Sequence, residues 1–271
     1  MIERGPRKGE AVAADSAMSD LALRRRQAAS QRAFYKMLGS ATRDARVLQF
    51  EGVQATIVPV RPWFSVFNSV FYEDARTLQA ALPALAEAYE RAGVSAWTVW
   101  VPPGDRAAKG VLDAAGHVCD STPLLMAAPI SAIDLDSRME LDLLEPATWA
   151  EVARCNDRAH GVLEPWSMAA VFERAEDPDS HLYAARRKGG VASALIAREH
   201  EGDCYFWFVA TSPEAQRLGL ASELMRHALC EARERGCDTT TLESTNAGEL
   251  VYSRLGYAAF GRFEMWERRS S

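Results

Sequence analysis

Apolar positions along this chain change their period several times, and each change marks a new element. From Ser19 to about Leu38 the residues Leu21, Ala28, Phe34, Met37 and Leu38 recur at loose helical spacing, and Gly39 is placed to end that helix. Val47 to Phe50, Val53 to Val60 and Trp63 to Tyr72 are short β-favouring runs broken by Gly52, Pro59 and Pro62, which predicts a meander of strands. A helix is expected from about Asp74 to Ala92, closed by Gly93 and locally distorted at Pro83. Ser95 to Val101 reads as a strand, Asp105 to Ala115 as a helix stopped by Gly116, and His117 to Pro129 as one or two further strands.

The segment from Ile130 to Arg138 is polar and irregular, and a second unit follows it. Met139 to Leu144 is expected as a strand; Pro146 opens a helix to about Ala159, and Pro165 another to about Arg174. His181 to Arg187, Val191 to Glu199 and Cys204 to Ala210 are strand-like runs joined by loops of hairpin composition. A long helix from about Arg217 to Arg235, a strand Asp238 to Glu243, a short helix Ala247 to Leu255 and a strand Tyr257 to Trp266 complete the pattern. The order strand, long helix, strand, short helix, strand occurs twice, once around Gly93 and Gly116 and again around Gly236 and Gly256. This predicts two copies of one fold, an unrelated α+β helper domain being the alternative for the first. The fold class expected is α+β (α/β three-layer), with a central mixed, mostly antiparallel sheet in each unit. The chain is divided into a disordered tail over 1–18, a first unit over 19–130, a linker over 131–137 and a second unit over 138–271.

Composition narrows the classes. A chain of 271 residues, 48% hydrophobic and 25% charged, buries a real core and suits two modest domains. Its apolar stretches, such as Val53 to Val60, fall short of the ~18 to 20 residues a membrane helix needs, so no membrane partner is expected. The charged start Met1-Ile2-Glu3-Arg4 lacks an apolar segment of signal-peptide type, which makes the cytoplasm the expected location. The 5 cysteines show no C-x-x-C spacing, so neither a disulfide framework nor a metal site is expected. A net charge of −6 argues against nucleic acid as an obligate partner, and Arg24-Arg25-Arg26 reads as a solvated helix face. A monomer or homodimer is expected.

The stretch from Val209 to Ser222 carries the chemistry. A strand runs into the tight loop Gln216-Arg217-Leu218-Gly219-Leu220-Ala221, and the loop opens a helix whose first amides lack intrahelical partners. Such amides, with the positive end of the helix dipole, suit a pyrophosphate; Gly219 and Ala221 let it approach, and Arg217 and Gln216 add donors at the rim. Further on comes Tyr252-Ser253-Arg254-Leu255-Gly256-Tyr257. Together these features resemble the GNAT superfamily of acetyl-CoA-dependent N-acetyltransferases, over roughly Arg138 to Arg268. The resemblance implies acetyl-CoA as co-substrate and an amine acceptor. It implies that backbone groups of Val209, Ala210 and Thr211 hold the pantetheine arm and polarise the acetyl carbonyl. The pyrophosphate then falls to Gln216, Arg217, Leu218, Gly219, Leu220, Ala221 and Ser222, and Tyr252 matches the tyrosine that protonates the departing thiolate. Many relatives carry Asn seven residues before that tyrosine, where this chain has Thr245, with Asn246 following; Gly248 fits relatives with Ser or Thr there.

Direct transfer also needs a base for the amine. Glu243, at the end of the strand beside the cofactor strand, is the first candidate, a surface ion pair being the alternative; His160, Glu164 and a water chain are others. Alternation sends two of Tyr205, Phe206, Trp207 and Phe208 to each face of their strand, and Trp207 with Trp166 is expected to line a pocket for an aromatic or cationic small-molecule amine. A protein N-terminus or lysine as acceptor, or a non-catalytic acyl-CoA sensor, are the rival readings. In the first unit, the place of the pyrophosphate loop is Phe71-Tyr72-Glu73-Asp74-Ala75-Arg76, which repels phosphate, and Leu112 stands where Tyr252 stands in the second. That unit is therefore expected neither to bind acetyl-CoA nor to catalyse, but to wall the acceptor cleft, as in tandem GNAT proteins such as mycothiol synthase.

Overall fold

In the computed structural model, residues 20–163 and 165–269 are described; the expected tail over 1–18 lies outside them, as does Glu164. The first unit runs α1 (Asp20–Leu38), β1 (Arg46–Phe50), β2 (Val53–Ile57), β3 (Ser69–Tyr72), α2 (Ala75–Arg91), β4 (Ala96–Val101), α3 (Arg106–Ala114), β5 (Val118–Ser121) and β6 (Leu124–Pro129). The second runs β7 (Asp142–Leu143), α4 (Trp149–His160), β8 (Ser180–Arg187), β9 (Gly190–His200), β10 (Asp203–Thr211), α5 (Leu220–Glu234), β11 (Thr239–Ser244), α6 (Glu249–Leu255), β12 (Ala258–Arg262) and β13 (Glu264–Arg269).

Several boundaries differ from the sequence reading, three of them for plain local reasons. α4 opens at Trp149, beyond Pro146, because Thr148 and Glu151 form a reciprocal capping box. The helix expected from Pro165 is only a 3-10 turn over Met168–Phe172, capped by the Ser167 side chain. α5 starts at Leu220, later than Arg217, because Arg217 and Gly219 both take left-handed backbone angles, φ 64° and 82°, that a helix does not accept.

The strands form a six-stranded sheet of order β1-β2-β3-β4-β13-β5 and a seven-stranded sheet of order β12-β6-β11-β10-β9-β8-β7. Parallel pairing occurs between β3 and β4 and between β10 and β11, and the remaining neighbours are antiparallel. The expected strand from Tyr257 to Trp266 is divided: β12 joins the seven-stranded sheet, and β13 crosses into the other sheet between β4 and β5. In return β6 crosses the other way, pairing Leu124 to Pro129 with Ser244 to Thr239 and lying between β11 and β12. The units thus exchange their last strands.

Alternation along β6 explains why it holds in an interior position. Leu124, Met126 and Ala128 enter the core under α5 and α6, while Leu125 and Ala127 enter a second core between the sheets. α2 and α3 cover the outer face of the six-stranded sheet. In the core between the sheets, α1 presents Phe34 to Tyr205 and Trp207, with centroids at 6.2 and 4.4 Å, and Tyr35 to Phe71 at 5.0 Å and Trp100 at 6.2 Å. Burial of each such ring contributes about 1.5–3 kcal/mol. The polar side of α1 is also engaged: Ser30 Oγ donates to the buried Asp203 carboxylate at 2.7 Å, which also accepts from Thr241 at 2.6 Å and Thr239 at 3.1 Å. A first-unit helix therefore roofs the second unit's sheet.

Candidate active site

β10 and β11 run side by side only from Asp203↔Thr239 to Phe206↔Leu242, after which the ladder stops and the strands part. On its other edge β10 is paired to β9, but the register shifts between Trp207 and Ala210, so Phe208 and Val209 have no partner on either side. Phe208 sits at φ 51°, a conformation that costs a residue of its size. This bulge breaks the expected alternation. Tyr205 and Trp207 face the core between the sheets and Phe206 faces α5, but Phe208 turns to the side of Trp207 and stacks on it at 4.4 Å. The freed backbone of Phe208 and Val209 lies at the mouth of the gap. Composition gave no sign of the bulge, since no glycine marks it. Ala210 and Thr211 resume pairing with β9, and Thr211 Oγ1 lies 3.0 Å from Ser193 Oγ.

β10 leads into a 3-10 turn over Pro213–Ala215 and then the loop 216–219. Gly219 is the N-cap of α5, and no side chain caps the helix. The amides of Arg217, Leu218, Gly219, Leu220, Ala221 and Ser222 donate to no group among the described residues. Gln216, Arg217, Leu218 and Gly219 are exposed, while Leu220 anchors the helix by packing with Ala192 and Ala215. A row of free amides thus opens to solvent at the positive end of a helix, next to the end of β10. A cavity of about 290 Å³ adjoins the turn, lined in part by Arg158, Arg187, Lys188 and Glu214.

Glu243 is the first residue of β11 past the last position paired with β10, and its side chain faces α1. Its carboxylate accepts from Tyr205 OH at 2.5 Å and from Gln27 Nε2, and it makes no salt bridge among the described residues, so the surface ion pair is not formed. Burial, with a smaller contribution from the Asp203 charge, pushes its pKa up to about 8 against the opposing effect of the Tyr205 hydrogen bond. Gln27 escapes a sequence reading because it meets Glu243 across 216 positions. Beyond Glu243 a cavity of about 400 Å³ lies between Ser244, Thr245, Asn246 and the first unit's Cys119 to Pro123.

Tyr252 lies on α6, half-buried against the core under α5, and its hydroxyl has no hydrogen-bond partner among the described residues. Burial pushes its pKa up to about 12. Gly248 is needed for this placement, because a Cβ there would stand 2.9 Å from the Tyr252 ring and 3.0 Å from Ser244 Oγ. Thr245 Oγ1 accepts from the Gly248 amide, and Asn246 Oδ1 accepts from Arg262. Trp207 packs against Phe34 and Phe67 in the core, whereas Trp166 is exposed and meets Trp63 of the first unit edge to face at 4.7 Å. His160 ends α4.

Residues 146–257 match the family described as Acetyltransferase (GNAT) family. The second unit contains a GNAT domain. Solved structures extend the likeness across the exchanged strands. A GCN5-related N-acetyltransferase from Kribbella flavida superposes with a TM-score of 0.66 at 17% identity, covering 90% of this chain and 96% of that one. A GCN5-related N-acetyltransferase from Sphaerobacter thermophilus gives 0.56 at 15% identity, over 80% and 76%. A tandem GNAT protein from the clavulanic acid biosynthesis pathway gives 0.58 at 12% identity, over 81% and 78%. These likenesses establish the fold, a tandem GNAT arrangement. No curated protein matches the sequence.

The first unit repeats the GNAT pattern with its loop closed. β3 and β4 are parallel and paired only at Ser69↔Thr98 and Val70↔Val99. Where the GNAT domain leaves its amides free, the Asp74 carboxylate accepts from the amides of Arg76 and Thr77, both at 2.9 Å, and these bonds hold its pKa down. The site a phosphate would take is filled by the chain's own anion. Phe71 and Trp100 stack across the strand ends at 6.3 Å, and Leu112 is buried in the outer core.

Proposed function

We propose that the chain is an acetyl-CoA-dependent N-acetyltransferase acting on a small-molecule primary amine, with one active site in the GNAT domain. The observation that carries this reading is the uncapped start of α5 directly below the parting of β10 from β11. The pyrophosphate of the cofactor meets the amides of Arg217 to Ser222, with Gln216 at the rim, while the pantetheine arm enters the gap along Val209, Ala210 and Thr211. The cationic rim of Arg158, Arg187 and Lys188 favours the approach of an anionic cofactor.

In the reaction the neutral amine attacks the thioester carbonyl, and the negative charge on oxygen is met by a backbone amide freed at the bulge, at Phe208 or Val209. Glu243 takes the proton that the amine loses. A carboxylate with a pKa near 8 is a far stronger base than an ordinary one and is still ionised in a useful fraction at neutral pH. The carbon–sulfur bond then breaks and Tyr252 faces the leaving thiolate. A phenol near pKa 12 stays protonated, and a thiolate whose thiol has an ordinary pKa, about 8.5, is less basic than the phenolate. Tyr252 therefore stabilises the thiolate chiefly by donating a hydrogen bond; as the products leave, Glu243 releases the amine's proton to solvent and the sulfur takes one from solvent.

CoA release measured against a panel of primary amines tests the assignment. Tyr252→Phe should lower kcat by about 10²-fold with acetyl-CoA affinity unchanged. Tight acetyl-CoA binding without turnover on any amine would favour a sensor instead, and turnover confined to peptides would favour a protein acetyltransferase.

A further inference from the structure

Large exposed aromatic side chains are uncommon on a protein surface, and a group of them drawn together from distant parts of the chain calls for an occupant. Trp63 is 41% exposed, Phe64 38% and Trp166 51%, and they come from both units. Trp63 and Trp166 meet at 4.7 Å with ring planes 87° apart, which leaves ring faces uncovered. Phe64, next to Trp63 in the chain, meets the fully buried Phe67 at 5.2 Å, and Phe67 meets Trp207 at 5.9 Å and Phe208 at 6.4 Å. Trp207 and Phe208 are only half-buried and lie where β10 leaves β11, so these ring contacts end at the expected point of transfer.

The aromatic group is also held in shape. The Arg61 guanidinium of the first unit donates to the carbonyls of Pro165, at 3.3 Å, and Ser167 on the second. Asp157, buried, accepts from Ser167 Oγ at 2.6 Å and from the Met168 amide at 3.0 Å. Both tryptophans therefore stand on loops fixed to each other. Arg61 puts a positive charge behind the rings, which disfavours a polycation there.

We infer that the acceptor is an amine carrying a planar aromatic group, and that this group docks on Trp63, Phe64 and Trp166 with its amine directed towards the end of β10 at Trp207 and Phe208. The inference rests on the acetyl-transfer reading and adds the substrate class and the first unit's share in choosing it. An edge or face contact between rings adds to affinity beyond area burial, which a saturated ring of equal size does not obtain.

The test uses the full chain with tryptamine, 2-phenylethylamine, 2-cyclohexylethylamine and putrescine, followed by calorimetric binding and by acetyl-CoA consumption. The aryl amines should exceed the saturated ring and putrescine at least tenfold in affinity. Trp63→Ala and Trp166→Ala should each weaken the aryl amines about tenfold while leaving acetyl-CoA affinity unchanged, and Trp63→Phe should restore most of the loss. Equal affinities across the panel, or no calorimetric binding of any aryl amine, would overturn the inference whatever the consumption assay gives. Aryl-amine binding that is lost in Trp63→Ala without any acetyl transfer would keep the pocket and overturn the transfer reading instead.

Discussion

Glu243 takes its character from its neighbours: Tyr205 OH and Gln27 Nε2 both donate to it, and dense protein around its carboxyl raises the pKa to about 8. As the proposed base it acts when ionised, so kcat/KM should climb towards a limb near pH 8, and Glu243→Gln should lose that limb along with at least about 10²-fold in rate. Stability has the opposite sign. Between the ordinary carboxyl value of 4.5 and about 8 the folded chain keeps a proton that the unfolded chain releases. The stabilisation is complete below the lower value and is lost as pH rises through the upper one. Melting temperatures from pH 4 to pH 9 should therefore decline more in the wild type than in Glu243→Gln, and equal declines would remove Glu243 from the buried, protonated role.

At the scale of elements, the exchanged strands matter most. Cut at 131–137, the chain would yield a C-terminal piece whose sheet lacks β6 between β11 and β12, and an N-terminal piece whose sheet lacks β13 between β4 and β5. Each gap exposes two unpaired strand edges, so the pieces should aggregate when expressed alone and recover a folded complex when expressed together; size-exclusion chromatography with circular dichroism checks this. A monomeric, fully folded 138–271 fragment would contradict it. The exchange was not legible in the sequence, because Leu124 to Ala128 and Glu264 to Arg269 satisfy period-two pairing in either sheet equally well. The Phe208 bulge was hidden for a related reason, as tertiary contacts hold a bulky residue where local preference would place glycine. By contrast the loop from Gln216 to Ala221 was legible, because small residues between a strand and an amphipathic helix leave few other structures open.

Across the whole molecule, two copies of one fold have taken different parts. The first unit contributes a strand to the second unit's sheet, the helix α1 that bears Gln27 and Ser30 over it, and Trp63 against Trp166. Its own loop is closed by Asp74, whereas the second unit's α5 has no side-chain cap. The acidic run at Phe71 to Arg76 and the glycine at Gly219 already distinguish the two loops in the sequence, although the hydrogen bonds of Asp74 to its helix amides appear only in the structure. A single acyl-CoA site per chain is therefore expected. Isothermal titration of the full chain with acetyl-CoA tests it most directly. It should give one site per chain, lost or weakened at least tenfold in Gly219→Glu, where φ of 82° strains any side chain and the added carboxylate repels the pyrophosphate. Two sites per chain, or unchanged affinity in Gly219→Glu, would contradict it.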